Sequence, residues 1–514
     1  MSTTEQYPSP GRRILIVFSV MTGVLLQTID STIANVALPH MQAALGATPE
    51  SVAWVLTSYI IAAAIATPIT GWLDAKFGRR TMYTLALFMF TVSSALCGIA
   101  NSIELMVIAR LVQGIFGAFI MPLGMTILLD SFPPEKRQQS MQIWMGGAML
   151  GPIAGPVLGG WITDNFNWRW VFLVNVPFGV IAVALSWIVV RNQNQESRRF
   201  DLFGFLLLAV GLGCLQLILD RGTQKDWFES REIIIEALVA ISAFWMFTVH
   251  SFTARAPLLP LAVFKDRNLV GSTLIMFAGA GVVYGVAALF PPMLQHLMGF
   301  DTIDAGIMMM PRAFAMLVAM LVAGRLYKRL GARALIAIGM SLTVVSLWMM
   351  SGFNLEMGRY PLITAGMVQG FGVGFTMMPL QMVAFETLAP HLRTEGASVY
   401  SLGRNLGGSV WISIAGALLA HNVQVSHSDL AAHVTPERIP LLGEGLLAAF
   451  GRTGGRIAWL IDAEINRQAL MIAYIDDYWT MMWISMLAVP TVLLLRKSRK
   501  VATQEAGPPI AVMD

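Results

Sequence analysis

Runs of about twenty apolar residues recur fourteen times along this chain of 514 residues, and a run of that length crosses the ~30 Å hydrocarbon core of a bilayer as a helix. The first seven fall near 14–36, 52–73, 81–101, 105–128, 141–162, 170–190 and 202–219. The second seven fall near 233–252, 270–293, 304–323, 334–353, 360–382, 399–420 and 471–495. In lipid every backbone polar group must be satisfied within its own segment, so the expected fold is all-α and polytopic. Composition agrees, with 56% hydrophobic and 12% charged residues against roughly 25% charged in soluble domains. Cys97 and Cys214 both lie inside apolar runs, so neither a disulfide framework nor a Cys-x-x-Cys metal site is available. No metal, cofactor or nucleic-acid partner is expected.

Fourteen crossings put both termini on one side, and the distribution of Lys and Arg says which. Of 34 such residues, 22 fall in the tails and loops on the N-terminal side and nine on the opposite side. The remaining three, Arg110, Arg312 and Arg404, lie inside spans. Both termini are therefore expected in the cytoplasm. Arg12 and Arg13 precede the first run and no clear small-residue cleavage site follows it, which reads as an uncleaved first helix. The segment 421–470 is the one sizeable polar piece and falls outside. Its apolar residues, such as Leu441 and Leu442 and the run Ile457 to Ile461, recur at roughly helical spacing. Two short helices lying on the membrane or capping the bundle are expected there, as a structural cap or as a docking surface for a partner.

One carboxylate stands inside the first run. Asp30, about 13 Å below Pro39 by helical rise, costs roughly 2.5 to 3.5 kcal/mol to insert, so it marks either an ion pathway or a paired structural site. Arg110 lies about 9 Å below Glu104 and Arg312 about 12 Å below Asp304 on the same count. All three are expected in the outer half. One carboxylate against two arginines leaves a positive cavity once Asp30 is protonated, which favours neutral or weakly acidic lipophiles over simple cations. Gln27, one turn before Asp30, is placed to hydrogen-bond it, and Gln113 joins Gln27 and Arg312 as expected cavity residues.

An internal repeat organises the spans. Gly71-Trp72-Leu73-Asp74-Ala75-Lys76-Phe77-Gly78-Arg79-Arg80 recurs loosely from Gly324 to Arg333, an offset of 253, and Val112-Gln113-Gly114 recurs as Val368-Gln369-Gly370, an offset of 256. Span n thus matches span n+8. Two six-helix bundles with two inserted helices follow, with a site between them. The boundaries drawn are 1–195, 196–264 and 265–514.

The segment from Asp30 to Pro39 resembles the first-helix signature of the fourteen-span drug:proton antiporters of the major facilitator superfamily. Arg110 to Ala118 resembles the superfamily's fourth-helix motif. Gly151-Pro152-Ile153-Ala154-Gly155-Pro156-Val157-Leu158-Gly159-Gly160 resembles its fifth-helix antiporter motif. Trp168 to Pro177 and Leu219 to Gly222, with Asp226-Trp227-Phe228, are similar to the Emr type of inner-membrane efflux pump. The resemblance covers nearly the whole chain. It implies proton coupling through Asp30 and Arg110, a gating loop of Gly71, Asp74, Gly78, Arg79 and Arg80, and location in a bacterial inner membrane. It also implies a periplasmic membrane-fusion adaptor and an outer-membrane channel as partners. The loop departs from the family at one place: Ala75 stands where an Asp is usual, and Asp74 comes one residue early. A shift of one residue turns a helical side chain by about 100°, so Arg79, Arg80 and Lys76 are expected to match the gate better than Asp74.

The fifth-helix motif also has a reading of its own. Gly147, Gly151, Gly155 and Gly159 recur every four residues and form one stripe, along which another backbone can approach closely. The stripe is either a sliding contact that seals one side during transport or a static helix pair. Export of small lipophilic compounds in exchange for protons is the expected function. A transporter for one dedicated metabolite is the alternative, disfavoured by the antiporter motif and the scarcity of polar residues in the spans. An enzyme would need ligands or a nucleophile at membrane depth, and no His-Glu-x-x-His, Gly-x-Ser-x-Gly or phosphate loop occurs.

Overall fold

Helix ends follow the local chemistry of their boundary residues. Helix α1 (Pro10–Leu45) opens on a proline, whose missing N–H is not needed in a first turn. It stops where Gly46, at φ 60°, donates its N–H to the Gln42 carbonyl. Thr48 caps α2 (Pro49–Ala66) by accepting from the Ser51 N–H at 3.2 Å. A 3₁₀ turn, Thr67–Ile69, leads into α3 (Thr70–Phe77), and Gly78 separates α3 from α4 (Arg79–Ile99). The N-terminal bundle continues with α5 (Ile103–Ser131), α6 (Arg137–Asn165), the short α7 (Trp170–Leu173) and α8 (Asn175–Val189). Helices α9 (Leu202–Arg221) and α10 (Arg231–Thr253) pack on each other, and α9 lies against α2. After α11 (Leu261–Lys265) come α12 (Arg267–Pro292), α13 (Thr302–Met350), α14 (Arg359–Glu386), α15 (Arg393–Ala432) and α16 (Gly455–Ala488). The computed structural model describes residues 7–133, 136–191, 199–433 and 455–495.

All fourteen expected spans coincide with helices, two of them inside α13, which turns at Gly331. Among the described residues twelve helical stretches are long and apolar enough to cross a membrane, and the two other expected spans lie in α6 and α16. The internal repeat is written into the backbone. Gly78 (φ 81°, ψ 148°) and Gly331 (φ 77°, ψ 165°), the same position in the two loop copies, adopt one conformation that side-chain-bearing residues rarely reach.

Chain geometry corrects one expectation. Residues 421–432 continue α15 and residues 455–470 form the start of α16, so the described parts of the outer segment are prolongations of two spans rather than two separate short helices. The reason is continuity of backbone hydrogen bonding: α15 meets no proline or helix-stopping glycine before His433. Residues 434–454, with Leu441 and Leu442, lie outside the described residues.

The apolar core shows how the bundles meet. One large cluster, at the end carrying the Gly78 loop, draws on both bundles, with Val20, Leu87, Leu128 and Met145 from one and Met320, Met377, Leu380 and Tyr400 from the other. At the far end the cores divide. Ile33, Val55, Met106 and Phe172 belong to one cluster, and Val286, Leu294, Met350 and Tyr478 to another. The two bundles are thus joined at the loop end and part at the far end.

Candidate functional site

Asp30 lies in the far half of the N-terminal bundle and is fully buried, as are Arg110, Gln113 and Ser94. Its oxygens are held by residues of two other helices, α5 and α8. Arg110 of α5 donates from Nη1 to Oδ2 at 2.7 Å, and Gln113, one turn on, donates from Nε2 to Oδ1 at 2.9 Å. Asn175, the first residue of α8, donates to the same Oδ1 at 3.1 Å. Every partner is a donor, so the set is complementary to an ionised, acceptor-only carboxylate.

Arg110 is itself locked. Its Nε donates to the Val55 carbonyl at 3.1 Å, its Nη1 also donates to Gln113 Oε1 at 2.9 Å, and its guanidinium lies 4.3 Å from the centre of the Tyr59 ring. Behind Asn175, Ser94 of α4 stands 3.1 Å away and donates to the Phe172 carbonyl at 2.9 Å. The pair is therefore anchored to five helices. A charge change on Asp30 is felt by all of them at once, because a buried ion that loses its partner costs about 3–5 kcal/mol.

The three residues expected to share a cavity have separate surroundings. Gln27 donates from Nε2 to the Tyr59 hydroxyl at 3.4 Å and makes no bond to Asp30; a separation of three residues on α1 turns the two side chains toward different neighbours. Gln113, expected on a cavity wall, is fully buried and engaged by Asp30 and Arg110. Arg312 is in the other bundle, half-buried on α13, where Nη2 donates to the Val283 carbonyl of α12 at 3.4 Å. The charges expected in the outer half are therefore a closed Asp30–Arg110 pair and a separate arginine, not one carboxylate between two cations. Arg404 is buried beside the Trp144 ring, 6.0 Å from its centre, and links the two bundles.

The glycine stripe of α6 packs on the segment of α1 that carries Asp30. A Cβ on Gly151 would meet the Thr28 side chain and come within 2.7 Å of its backbone carbon; one on Gly155 would meet Thr32, and one on Gly159 would lie 2.8 Å from Ile33. Gly160 faces open space. Pro152 and Pro156 fall within the same continuous helix. Overpacking such a contact costs about 1–3 kcal/mol. Gly151→Val is expected to lower efflux at least tenfold and the thermal midpoint in detergent by several degrees, whereas Gly160→Ala leaves both near wild type. Equal behaviour of the two variants in both assays would show that the contact is dispensable.

At the loop end a second polar cluster ties the bundles together. Asp74, fully buried, accepts from Arg79 at 3.1 Å and from the Thr394 hydroxyl of α15 at 2.7 Å. Arg79 also pairs with Asp130 of α5 at 2.6 Å, and Asp130 in turn pairs with Arg393 of α15. Glu395 packs on Gly71, where a Cβ would come within 2.6 Å of Glu395 Cγ. Asp74 thus takes part in this polar cluster although it stands one place early, while Arg80 stacks on Trp187 and the exposed Lys76 on Trp72, each 4.6 Å from the ring centre. The 3₁₀ turn at Thr67–Ile69 is the physical reason: its three residues wind by about 120° each instead of 100°, making up much of the lost rotation.

Residue reading alone did not single out Asn175, Ser94, Tyr59 or Asp477. Asp477, buried in α16, accepts from Asn422 of α15 at 3.3 Å, and its second oxygen has no hydrogen-bond partner among the described residues. A carboxylate inside the last span was the available signal.

Comparison with known proteins places this geometry. The Major Facilitator Superfamily profile matches residues 20–412. The multidrug export protein EmrB of Haemophilus influenzae is 32% identical over 473 residues, which is 91% of this chain and 93% of that protein. EmrB of Escherichia coli K12 is 31% identical, with 92% and 94% covered. The fatty acid resistance protein FarB of Neisseria gonorrhoeae is 30% identical, with 89% and 91% covered. The solved structure of the proton:xylose symporter XylE shares the fold, with a TM-score of 0.60 at 14% identity over 93% of this chain and 95% of that one. With its repeated bundles, paired intramembrane charges and near full-length relatives, the chain belongs to the major facilitator superfamily, in the branch of the Emr-type multidrug export proteins.

Proposed function

We propose that the protein exports small lipophilic compounds from the cytoplasm or inner leaflet across a bacterial inner membrane, in exchange for protons moving inward. The carrying observation is the Asp30–Arg110–Gln113–Asn175 cage in the half where the bundles part, opposite a latch where they are joined. The names of the relatives, multidrug export and fatty acid resistance proteins, support the direction and the cargo. In this reading both termini and the latch are cytoplasmic, so the conformation is closed to the cytoplasm and parted toward the outside.

A proton arriving from outside neutralises Asp30 and removes the acceptor that holds Arg110. The five helices anchored to the pair then settle into a second arrangement that opens the latch, which is how two bundles alternate access to one site. Proton release inward resets the cage as cargo binds. The 1–195 and 265–514 units act as the rocking bodies, with 196–264 an attached pair. The prolonged outer ends of α15 and α16 offer a contact for a periplasmic adaptor leading to an outer-membrane channel.

The test uses everted membrane vesicles with a pH dye in the lumen. After respiration has acidified the lumen, adding a lipophilic substrate is expected to alkalinise it only when this protein is present. No change across anionic, neutral and cationic lipophiles would overturn the exchange of cargo for protons.

A further inference from the structure

The repeat gives the C-terminal bundle a counterpart of the Asp30 site, and that counterpart lacks its carboxylate. The register is set by close backbone contacts. A Cβ on Gly114 would lie 3.0 Å from Tyr59 Cα and 3.1 Å from Ala62 Cβ. On Gly370 it would lie 3.0 Å from the Arg312 carbonyl carbon and 3.1 Å from Ala315 Cβ. Arg312 therefore stands where Tyr59 stands, and Gln369 stands where Gln113 reaches Asp30.

The partner helix can be aligned in the same way. Gly151 lies on Thr28, and Gly407, its repeat mate, lies on the backbone of Phe277. Two residues further along each helix come Asp30 and Gly279, and a Cβ on Gly279 would meet nothing within 4 Å. A carboxylate in one bundle is thus a glycine beside open space in the other.

The groups that would bind a carboxylate are nevertheless present. Arg312 has one long hydrogen bond, to the Val283 carbonyl, and among the described residues no Asp or Glu lies within ion-pair distance of it. Gln369 is fully buried, and among the described residues neither its Nε2 nor its Oε1 has a hydrogen-bond partner. Buried polar groups are nearly always paired, so an orphan amide and an unneutralised guanidinium on two helices that pack closely at Gly370 are costly in an apolar bundle unless something fills the place. Asp477 of α16 turns to Asn422 instead, and the neighbouring Tyr478 directs its hydroxyl to Met293 Sδ at 3.7 Å.

We propose that Arg312 and Gln369 form a subsite for the carboxylate of a lipophilic organic acid, so that the cargo supplies in the C-terminal bundle the group that Asp30 supplies in the N-terminal one. The apolar body of the acid lies toward the gap between the bundles. A guanidinium suits this task because it stays charged and presents a planar fork to both carboxylate oxygens. The inference rests on the export reading for its biological meaning, but binding tests it separately from transport.

The experiment uses the full chain in lipid nanodiscs and measures affinity by calorimetry for 2-naphthoate, its neutral amide and naphthylmethylammonium. Wild type is expected to bind the carboxylate at least tenfold more tightly than the amide, with the cation weakest. Arg312→Ala should bring carboxylate and amide within twofold of each other, Arg312→Lys should keep part of the preference, and Gln369→Leu should reduce it several-fold. Unchanged amide binding certifies that each variant is folded. A wild type without carboxylate preference, or an Arg312→Ala variant that keeps it, overturns the subsite; if Arg312→Ala does not fold, an undiminished preference in Gln369→Leu does so. Lost transport in vesicles with intact carboxylate preference in nanodiscs would refute the export reading and leave the subsite standing.

Discussion

Asp30→Asn is expected to bind cargo and fail to move it uphill. In the proposed exchange, proton entry and exit both act through the charge on this one side chain, and the amide holds it in a permanently neutral form. One charge falling through 100 mV supplies about 2.3 kcal/mol, enough for roughly fifty-fold accumulation; in the variant the accumulation ratio falls to about one. The substitution also turns an amide N–H₂ toward donors on Gln113, Asn175 and Arg110, so the amount of protein in the membrane has to be measured beside transport. Asp30→Glu keeps the charge and should retain partial activity with a displaced pH optimum. Accumulation by Asp30→Asn near the wild-type rate would remove Asp30 from coupling and turn attention to Asp477.

Arg110→Ala should abolish gradient-driven efflux and also destabilise the N-terminal bundle, because it leaves a carboxylate buried without its counter-ion at a cost of about 3–5 kcal/mol. Arg110→Lys should recover part of both. Lysine can reach Asp30, but it cannot at the same time donate to Val55 and Gln113 and stack on Tyr59 as the guanidinium does. The informative comparison is the double variant Asp30→Asn with Arg110→Gln, which removes both charges. It should be more stable than Arg110→Ala yet equally unable to pump. Normal pumping by Arg110→Ala would show that the intramembrane pair has no part in coupling.

Much of this architecture could be read from the chain because lipid leaves few choices. Segments of twenty apolar residues must be helices, and the repeat of the Gly71 loop and of Val112-Gln113-Gly114 sets their grouping. What escaped reading was side-chain direction over long separations. Asn175 meets Asp30 only because the chain breaks between α7 and α8 and starts a new helix at that residue. Gln27 shares a helix with Asp30, yet a few tens of degrees direct it to Tyr59. Asp74 looked out of register until the 3₁₀ turn before it restored the angle. The ends of α15 and α16 carry polar residues that suggest a loop, whereas continued backbone hydrogen bonding keeps them helical beyond the apolar run.

The length of α15 has a mechanical consequence. Arg393, Thr394 and Glu395 at one end belong to the latch, and Asn422, 27 residues later, touches Asp477 at the other. At 1.5 Å per residue these ends are about 40 Å apart on one unbroken rod. A tilt of about 10° with the latch end as fulcrum carries the far end through roughly 7 Å, the better part of the spacing between packed helices. A rigid rod held at Arg393 and Thr394 therefore converts a small change of angle at the loop end into a displacement on the scale of a helix spacing at the far end.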